Sequence, residues 1–408
     1  MGSEPVRIGL LGRGTVGGAF AALLGERAAA IEAATGRWPE PVGPLTRSEG
    51  DFGEILAGSD LVVELIGGTE PARAYVLEAL RAGRPVVTAN KQLLAQHGDE
   101  LFGAAREAGV QLRFEAAVAG VIPIVRTIQE SFGVTEIDKV FGIVNGTTNF
   151  ILSEMAASGA AYEQVLARAQ ELGYAEADPS DDVNGADAAA KMAILARLAF
   201  HTPVSLDQVP YEGIEAVTAD DLAYAKELGL SLKLLGVAER RDGGISVRVF
   251  PCFLYGGHPL APIGGPFNAV MVEAPAITEV TMSGPGAGGV ETASAVLGDV
   301  VSILSGDAPV HEARARLPLV ADVSSSFYLH LEVADEPGVL ARIAQVLGEK
   351  EISVKSVVQR GIGDDARLVM VVHECLESSF AAAVEQIGGL RDVRAQPRFI
   401  RVIEEEFV

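Results

Sequence analysis

Residues 5–29, PVRIGLLGRGTVGGAFAALLGERAA, decide the fold of the first part of the chain. An apolar run leads into a glycine-rich turn, and a long stretch of small apolar residues typical of a helix follows. The glycines have the spacing G-x-G-x-x-G, which between a strand and a helix permits a tight turn, close backbone approach to a pyrophosphate, and packing of helix on strand. This stretch therefore predicts a dinucleotide-binding unit. The residues predicted to line its cofactor are Gly12, Arg13, Gly14, Thr15, Val16 and Gly17.

The same alternation of strand and helix continues along the chain. Residues 59–68 and 84–90 are apolar strand patterns that each lead into a helix-like segment, and the pattern at 110–120 ends in a loop of small residues. Strands that alternate with helices favour a parallel sheet covered on both faces. We therefore predict an α/β fold with a Rossmann-type doubly wound sheet over residues 1–125, onto which a helix near 286–305 packs back.

The remainder of the chain divides into two further units. Residues 126–305 are more helical at first and then show several strands, which predicts an α+β substrate and dimerisation domain. Residues 306–326 have the composition of a linker. Residues 327–408 follow a strand–helix–strand–strand–helix–strand order, which predicts a separate βαββαβ domain of the ferredoxin-like type.

Composition excludes several classes of protein. The chain has 408 residues and a net charge of −23, which disfavours nucleic acid as a partner. It contains no apolar run of about 18 residues, so we expect no membrane span. Cys252 and Cys375 stand far apart without a partner motif, which excludes a disulfide framework and a thiolate metal site. These features predict a cytoplasmic enzyme.

The choice of dinucleotide depends on the segment GRWPEPVGPLTRSEGD, residues 36–51. Its prolines predict a poor second strand. Arg47 near its end, together with Arg13 in the glycine loop, would suit the 2′-phosphate of NADP. A carboxylate at Glu49 or Asp51 could instead serve the ribose hydroxyl of NAD, and a solvated surface arginine is a third interpretation. NADP is favoured, and NAD remains possible.

A second informative stretch is YAEADPSDDVNGADAAAKMAILARLAF, residues 174–200. Asn184 is a good helix N-cap, and the pattern predicts a helix from Gly185 to about Phe200. Asp187 and Lys191 then lie four residues apart on one face. An exposed ion pair is the alternative, but the helix has almost no polar face, so we expect a buried pair in which Asp187 keeps Lys191 charged.

A protonated lysine at the edge of a site is a suitable acid for an oxygen that becomes negative during hydride transfer. The carboxylates before the helix, at Glu176, Asp181 and Asp182, could bind the ammonium group of a substrate. Lys91 opens a predicted helix after Asn90, where a cation opposes the helix dipole, and we interpret it as a contact to substrate or cofactor. Since none of these loops contains a cysteine, direct interconversion of an alcohol and an aldehyde is favoured over acyl transfer.

Seven motifs resemble those of the homoserine dehydrogenases, over essentially the whole chain. In order, they are GLLGRGTVGG, ELIGGTEPA, VVTANKQLLA, FEAAVAGVIPIV, GIVNGTTNFIL, LGYAEADPSDDVNGADAAAKMAILA and SGPGAGGVETASAV. The resemblance implies NAD(P)-dependent interconversion of L-aspartate 4-semialdehyde and L-homoserine, on the route to threonine and methionine. Two departures are the proline-rich second-strand region, which bears on cofactor choice, and Val121, where members often have glycine.

The resemblance also implies roles for individual residues. Lys191 would give the proton to the forming alkoxide, and Lys91 would sit between cofactor and substrate. The implied substrate contacts are Glu176, Asp187, Asp182, Tyr174, Gly146 and Thr147. Gly173 and Gly288 would border the cofactor. A sodium ion would be held by Glu115 and by the backbone carbonyls of Val118, Gly120 and Ile122.

The C-terminal domain, with LEVADEPGVLARIA, resembles an ACT-type regulatory domain. In such domains a free amino acid binds near the turn after the first strand, where two copies pair, and DEPGVL supplies that turn. We therefore expect feedback inhibition by L-threonine and a homodimer or homotetramer. A domain that only dimerises is the alternative. Two other functions also remain open, namely a reductase of another semialdehyde and a non-catalytic amino-acid sensor.

Overall fold

The first part of the chain forms a five-stranded parallel sheet with strand order β2-β1-β3-β4-β5. The computed structural model describes residues 4–306, 316–361 and 366–403. Part of the predicted linker and the last residues of the predicted C-terminal domain lie outside these ranges. The elements are β1 (Glu4–Leu11), α1 (Thr15–Thr35), β2 (Arg37–Leu45), α2 (Phe52–Gly58), β3 (Leu61–Glu64), α3 (Ala72–Arg81), β4 (Val86–Thr88), α4 (Lys91–Ala108) and β5 (Leu112–Arg113). This arrangement confirms the predicted Rossmann-type fold.

The proline-rich segment is a full strand, so the prediction of a poor strand there is wrong. β2 pairs in parallel with β1, and its Pro39 and Pro41 lie opposite Val6 and Ile8. Residues two apart direct their N–H groups to the same side of a strand, so both missing donors fall on one side. Because β2 is an edge strand, that side needs no partner, and the prolines are tolerated.

Helix α11 (Gly289–Ser305) lies far along the chain yet packs on α1. Its residues Val296 and Val300 share an apolar cluster with Phe20 of α1. The ends of the two helices also meet, because a side chain on Gly289 would begin 3.0 Å from Cγ2 of Thr15. The N-termini of α1 and α11 therefore lie side by side at the glycine loop.

The second part of the chain contributes five adjacent strands to a nine-stranded sheet with order β10-β9-β6-β7-β8-β14-β11-β13-β12. The other four strands belong to the C-terminal unit described below. The elements of the second part before α11 are α5 (Ile124–Arg126), β6 (Lys139–Ile143), α6 (Gly146–Ser158), α7 (Tyr162–Glu171), α8 (Ser180–Val183), α9 (Ala186–Phe200), α10 (Ala219–Glu227), β7 (Leu230–Arg241), β8 (Gly244–Tyr255), β9 (Phe267–Ala274) and β10 (Thr278–Pro285). Strand β7, which sequence analysis left unassigned, pairs along its whole length with β8.

Helix α9 packs directly on this sheet at a point where two glycines face it. Gly142 of β6 is paired with Gly236 of β7, and both lie beneath Met192. A Cβ on Gly236 would lie 2.3 Å from Cγ of Met192. This is shorter than a van der Waals contact, so any larger residue would push α9 away from the sheet. The pair of glycines thus sets the depth of α9 and of Lys191, which adjoins Met192.

The C-terminal unit has the predicted βαββαβ order, which confirms that part of the fold. Its elements are β11 (Ser324–Glu332), α12 (Val339–Glu349), β12 (Val354–Arg360), β13 (Arg367–Leu376), α13 (Glu377–Gly388) and β14 (Arg398–Ile403). Its sheet is not separate, however. Strand β14 pairs in parallel with β8, joining Arg401 to Cys252 and Ile403 to Leu254 in register. The C-terminal unit therefore extends the same sheet on which α9 rests.

Polar contacts hold this junction beside the sheet. The guanidinium of Arg398 donates to Thr218 Oγ1 at 2.7 Å and to the Asp221 carboxylate at 3.1 Å. Thr218 and Asp221 are the two halves of the capping box of α10. The start of α10 is thus fixed by a residue of the C-terminal unit. None of the helices within the described ranges is long and apolar enough to cross a membrane.

Lys233 of β7 is a buried cation to which no carboxylate of the described residues is hydrogen-bonded. Its ammonium group donates to the carbonyl of Ile263 and, at 3.4 Å, to Oδ1 of Asn149. Its residue surface is only 5% exposed. Burial lowers its pKa to about 8, since desolvation disfavours the charged form.

The unfolded chain keeps the Lys233 proton up to a pH of about 10.4, whereas the folded protein releases it near pH 8. Between these values the unfolded state binds more protons, so stability rises with pH. We expect wild type to gain about 2 kcal/mol relative to Lys233→Met between pH 7.5 and 9.5, as measured by denaturant unfolding at each pH. Lys226→Met, which removes an exposed lysine of α10, should show no such gain. Equal pH slopes for wild type and Lys233→Met would contradict the assignment.

Candidate active site

Three charged residues from two parts of the chain meet at one point. Lys91 is the first residue of α4, while Asp187 and Lys191 lie one turn apart on α9. Oδ1 of the Asp187 carboxylate lies 2.9 Å from Nζ of Lys91, and its Oδ2 lies 2.6 Å from Nζ of Lys191. The sequence-predicted pair of Asp187 and Lys191 is thus a buried contact, and Lys91 joins it from the dinucleotide-binding part.

The position of Lys91 is fixed by the turn between β4 and α4. Asn90 caps α4, its Oδ1 accepting from the N–H of Leu93 at 3.1 Å, and its Nδ2 donates to the carbonyl of Gly68 at 2.6 Å. Below it, the buried Glu64 accepts from Thr88 Oγ1 at 2.6 Å, and that hydroxyl accepts from the N–H of Asn90. These hydrogen bonds therefore fix the turn that places Lys91 at the carboxyl edge of the sheet.

Asn145 connects the carboxylates of the cluster, and sequence analysis did not single it out. Its Oδ1 accepts from the N–H of Thr148 at 2.8 Å, which caps α6, and its Nδ2 donates to Asp182 at 2.7 Å and Asp187 at 2.9 Å. The capping role could have been inferred from an asparagine that precedes Gly-Thr-Thr. The bond to Asp187, 42 residues away, leaves no local signal in the sequence.

Lys191 has one hydrogen-bond donor that no residue within the described ranges accepts. An ammonium group has three N–H donors, and Lys191 uses one for Asp187 and one for the carbonyl of Val144 at 2.7 Å. Its side chain is 13% exposed, whereas that of Asp187 is 5% exposed.

The electrostatics of the cluster follow from burial and charge. Burial alone would raise the pKa of Asp187, but Lys191 and Lys91 hold it well below its usual range. Burial opposes the charge of Lys91, yet Asp187 outweighs it and raises the pKa of Lys91. The pKa of Asp182 is raised, first by burial and then by the neighbouring charge of Asp187. The cluster is thus built to keep Lys91 and Asp187 ionised.

The loop before α9 and the start of α6 carry the other predicted substrate contacts. Thr147 Oγ1 donates to the carbonyl of Tyr174 at 2.7 Å, and the Tyr174 ring lies 4.7 Å from that of Phe150. Gly146 begins α6 under Pro266, whose carbonyl would lie 2.7 Å from a Cβ there. Glu176 is exposed, and within the described residues its carboxylate makes no hydrogen bond or ion pair. The structure therefore brings Asp182, Gly146, Thr147 and Tyr174 to one side of the cluster and leaves Glu176 at the rim.

The start of α9 differs slightly from the prediction. The helix begins at Ala186, and Gly185, with φ +92°, occupies the cap position that was expected for Asn184. Asn184 still accepts a hydrogen bond from the N–H of Ala186 at 2.8 Å through its side chain. The left-handed backbone at Gly185, which favours glycine, shifts the helix start by one residue.

The glycine loop forms an open cradle at the N-terminus of α1. A Cβ on Gly12 would lie 2.4 Å from the carbonyl of Leu65, and one on Gly17 would lie 2.3 Å from the carbonyl of Gly12. Gly14, by contrast, faces open space and caps α1 without a side chain. Free N–H groups at the start of a long helix are suited to a pyrophosphate. Arg13 and Thr15 are exposed beside them, and Val16 is half-buried.

Two other predicted cofactor residues lie around this cradle, and a third, Gly173, directly precedes Tyr174 in the chain. Gly288, with φ +147°, caps α11, whose N-terminus adjoins Thr15. Arg47 is exposed just past β2, and the carbonyl of Leu45 accepts the N–H of Gly12 at 2.8 Å. Gly173, with φ +76°, ends the turn after α7 on the substrate side.

The predicted ion loop joins a buried acid to a sharp bend. The Glu115 carboxylate accepts the N–H groups of Val125 at 2.8 Å and Arg126 at 2.9 Å. Burial raises its pKa to about 7, and the Asp299 carboxylate close by adds to that rise. Gly120 and the residue before it both have positive φ, which bends the chain between Val118 and Ile122. A carboxylate and backbone carbonyls are hard oxygen ligands, so these residues fit a cation such as sodium.

Comparisons with known families cover most of the chain. Residues 123–301 match the model described as homoserine dehydrogenase, and residues 12–115 match the model of the homoserine dehydrogenase NAD-binding domain. Residues 328–392 match the ACT domain.

Individual relatives and solved structures agree. The chain is 46% identical to a homoserine dehydrogenase of Corynebacterium glutamicum, over 89% of this chain and 84% of that one. A homoserine dehydrogenase of Mycobacterium tuberculosis is 41% identical, over 98% of both chains. The crystal structure of a homoserine dehydrogenase from Thiobacillus denitrificans superposes with a TM-score of 0.94 at 38% identity, covering 98% of this chain and 99% of that one. A hyperthermophilic archaeal homoserine dehydrogenase in complex with NADPH gives a TM-score of 0.65 at 26% identity, covering 75% and 99%.

Proposed function

The chain belongs to the homoserine dehydrogenase family, and from that premise we propose how its residues interconvert L-aspartate 4-semialdehyde and L-homoserine. It is an oxidoreductase with an NAD(P)-binding domain. The observation that supports the proposal best is the buried cluster in which one carboxylate holds Lys191 and Lys91. A bound nicotinamide would supply the hydride in reduction and accept it in oxidation.

Lys191 is the proton donor in this proposal. As hydride reaches the aldehyde carbon, its oxygen becomes negative, and the one free N–H of Lys191 passes a proton to it. Asp187 and the carbonyl of Val144 fix the direction of the ammonium group through the other two donors. In the oxidation of homoserine the same nitrogen takes the proton from the hydroxyl. Lys91 keeps Asp187 ionised and lies between the substrate and cofactor sides.

The carboxylates of the loop hold the ammonium group of the substrate. Among the residues that the structure describes, Asn145 alone engages the Asp182 carboxylate, through one oxygen at 2.7 Å, so the second oxygen can accept from the substrate. Because burial and Asp187 raise the pKa of Asp182, a substrate cation beside it would offset that cost. Glu176 closes on the same group from the rim, and Thr147, Tyr174 and Gly146 complete the wall.

Replacement of Lys191 tests this assignment. Loss of a positioned acid costs about 10²–10⁴ in turnover, so Lys191→Ala should reduce homoserine-dependent formation of reduced NADP by that factor. The melting temperature should fall, because Asp187 loses one of its two cations, but Lys91 still pairs with it, so the protein should stay folded and cofactor affinity should change little. Lys191→Arg should not restore activity, since a guanidinium keeps its proton. Lys226→Ala serves as the matched surface control. A folded, cofactor-binding Lys191→Ala protein with near-normal turnover would remove Lys191 from the mechanism.

NADP is the cofactor that the loop favours. Asp51, one of the two carboxylates that could bind a ribose hydroxyl, instead caps α2 by accepting the N–H of Glu54 at 3.0 Å. Arg47 follows the strand end that is hydrogen-bonded to Gly12, and Arg13 is exposed in the glycine loop. Two guanidinium groups there suit a 2′-phosphate, to which arginine binds in bidentate fashion.

A charge reversal at Arg47 separates the two cofactors. Arg47→Glu should raise the KM for NADP by about tenfold or more, which corresponds to about 1.4 kcal/mol, and should leave the KM for NAD nearly unchanged. Arg27→Glu makes the same change in net charge about 18 Å along α1 and should affect neither. A wild-type enzyme that prefers NAD, or equal effects of both substitutions, would overturn the assignment.

Sodium is proposed at the loop after β5. Glu115 and the carbonyls of Val118, Gly120 and Ile122 would hold the ion, whose charge would offset the burial of Glu115 beside Asp299. The ion would stabilise the loop that connects the two parts of the enzyme.

The ACT domain is proposed to bind L-threonine and to lower activity, as an end product of the route to threonine and methionine would. The turn of residues 335–339 leads from β11 into α12, whose N-terminus carries no side-chain cap and begins after Gly338, with φ +88°. Free N–H groups at that terminus suit the carboxylate of an amino acid. Pairing of two copies of the chain would complete the site.

The threonine proposal is tested at Gly338. L-threonine at millimolar concentration should lower the rate and raise the melting temperature of wild type, whereas D-threonine should do neither. Gly338→Asp places a carboxylate against the incoming one and should abolish the response. Gly338→Asn is the uncharged control, because asparagine and aspartate both tolerate positive φ. A wild type indifferent to L-threonine in both assays would exclude this role.

A further inference from the structure

A cavity of about 270 Å³ lies at the junction of the regulatory and catalytic parts. One wall is β8, a second is the segment of residues 208–212, a third is residues 319–321, and the ACT domain contributes Glu377 and Arg401. The volume is below the roughly 300–1,000 Å³ of pockets for drug-sized ligands. It is suited to a small metabolite.

The cavity carries charges of both signs, arranged by depth. Arg248 and Arg401 have side chains only 7% and 13% exposed, so they line its inner part. Glu377 is 26% exposed and Glu212 is 53% exposed, so the carboxylates stand nearer the mouth. Both guanidinium groups lie over the ring of Phe250, at 4.3 Å for Arg401 and 5.5 Å for Arg248.

Each of the two arginines retains an unused donor. The terminal nitrogens of Arg248 donate to the Ser246 hydroxyl at 2.7 Å and pair with the Glu239 carboxylate at 2.7 Å. Those of Arg401 pair with the carboxylates of Glu212, at 3.1 Å, and Glu377. The Nε atoms of both are buried and lack a partner within the described residues. A buried donor without an acceptor costs about 1–3 kcal/mol, and a carboxylate would satisfy two at once.

We propose that this cavity binds a small α-amino acid as a zwitterion, with its carboxylate on Arg248 and Arg401 and its ammonium group on Glu212 and Glu377. The apolar part of the wall, which includes Val249 and Leu319, takes the side chain. The site is distinct from the turn of residues 335–339, and it needs only one copy of the chain.

Occupancy of the cavity acts on the active-site helix through backbone contact. Residue 212 in its wall leads into Gly213, where a Cβ would lie 2.1 Å from the carbonyl of Val183, and the same carbonyl accepts the N–H of Ile214 at 2.9 Å. A Cβ on Gly185 would lie 3.0 Å from the carbonyl of Glu212. The cavity wall therefore touches the start of α9, two residues before Asp187. The binding site stands without the proposed reaction, whereas its effect on rate rests on that reaction.

Calorimetric titration of the full-length protein tests the site. L-alanine, L-serine, L-threonine and L-methionine are titrated into Gly338→Asp protein without homoserine, because homoserine is itself a small α-amino acid and would compete for the cavity. At least one should bind, while the amide of that amino acid and its analogue without the ammonium group should not. Glu212→Gln should weaken binding about tenfold, Ala321→Trp, which fills the mouth, should abolish it, and the matched control Glu215→Gln should leave it unchanged. The bound amino acid should alter kcat/KM for homoserine at least fivefold.

The outcomes separate the two proposals. No binding by any of the four amino acids, or binding that survives both Ala321→Trp and Glu212→Gln, would overturn the cavity site even in a fully active enzyme. Binding with the expected variant pattern in a protein that does not oxidise homoserine would overturn the proposed reaction and support the site. Binding without any change in kcat/KM would refute the coupling to α9.

Discussion

The Asp187 carboxylate, buried between two lysines, is the constraint on which the rest of the structure depends. Lys91 comes from the dinucleotide-binding part and Lys191 from the helix that rests on the second sheet, and each lies within 2.9 Å of an oxygen of Asp187. Removal of one partner of a buried ion pair costs about 3–5 kcal/mol, because the other charge is left uncompensated. The contact therefore joins the glycine-loop part of the chain to the loop before α9, and in the proposed reaction the hydride acceptor lies between the two.

Much of the fold could be predicted because its signals are local. The glycine loop, the alternation of strands and helices, and the βαββαβ order of the C-terminal unit all depend on periodicities within short windows. β2 could not be predicted, because its prolines are tolerated only on an edge, and edge position is a property of the sheet. The pairing of β8 with β14 could not be predicted either, since it joins residues about 150 positions apart.

The candidate site divides in the same way. The spacing of Asp187 and Lys191 by one helical turn can be read from sequence, and the apolar helix around them indicates burial. Asn145 and the carbonyl of Val144 could not be found, because their contacts to Asp187 and Lys191 span more than 40 residues. The pairing of Gly142 with Gly236 beneath Met192 is a third case, in which two small residues on different strands set the depth of the catalytic helix.

The arrangement of charge in the site matches a substrate that is charged at one end and reactive at the other. Lys91, Lys191 and Asp187 sum to one positive charge, and in the proposed reaction the aldehyde oxygen becomes negative beside it, so the cluster would stabilise the transition state more than the ground state. Asp182 and Glu176 carry negative charge toward the loop, where the proposed mechanism places the ammonium group of the substrate in both states. Asn145 joins the two regions by hydrogen bonds to Asp182 and Asp187. Because α9 carries the positive cluster and its first turn abuts the wall of the junction cavity, a small shift there would alter the alignment of the proton donor while leaving the ammonium contacts of the loop in place.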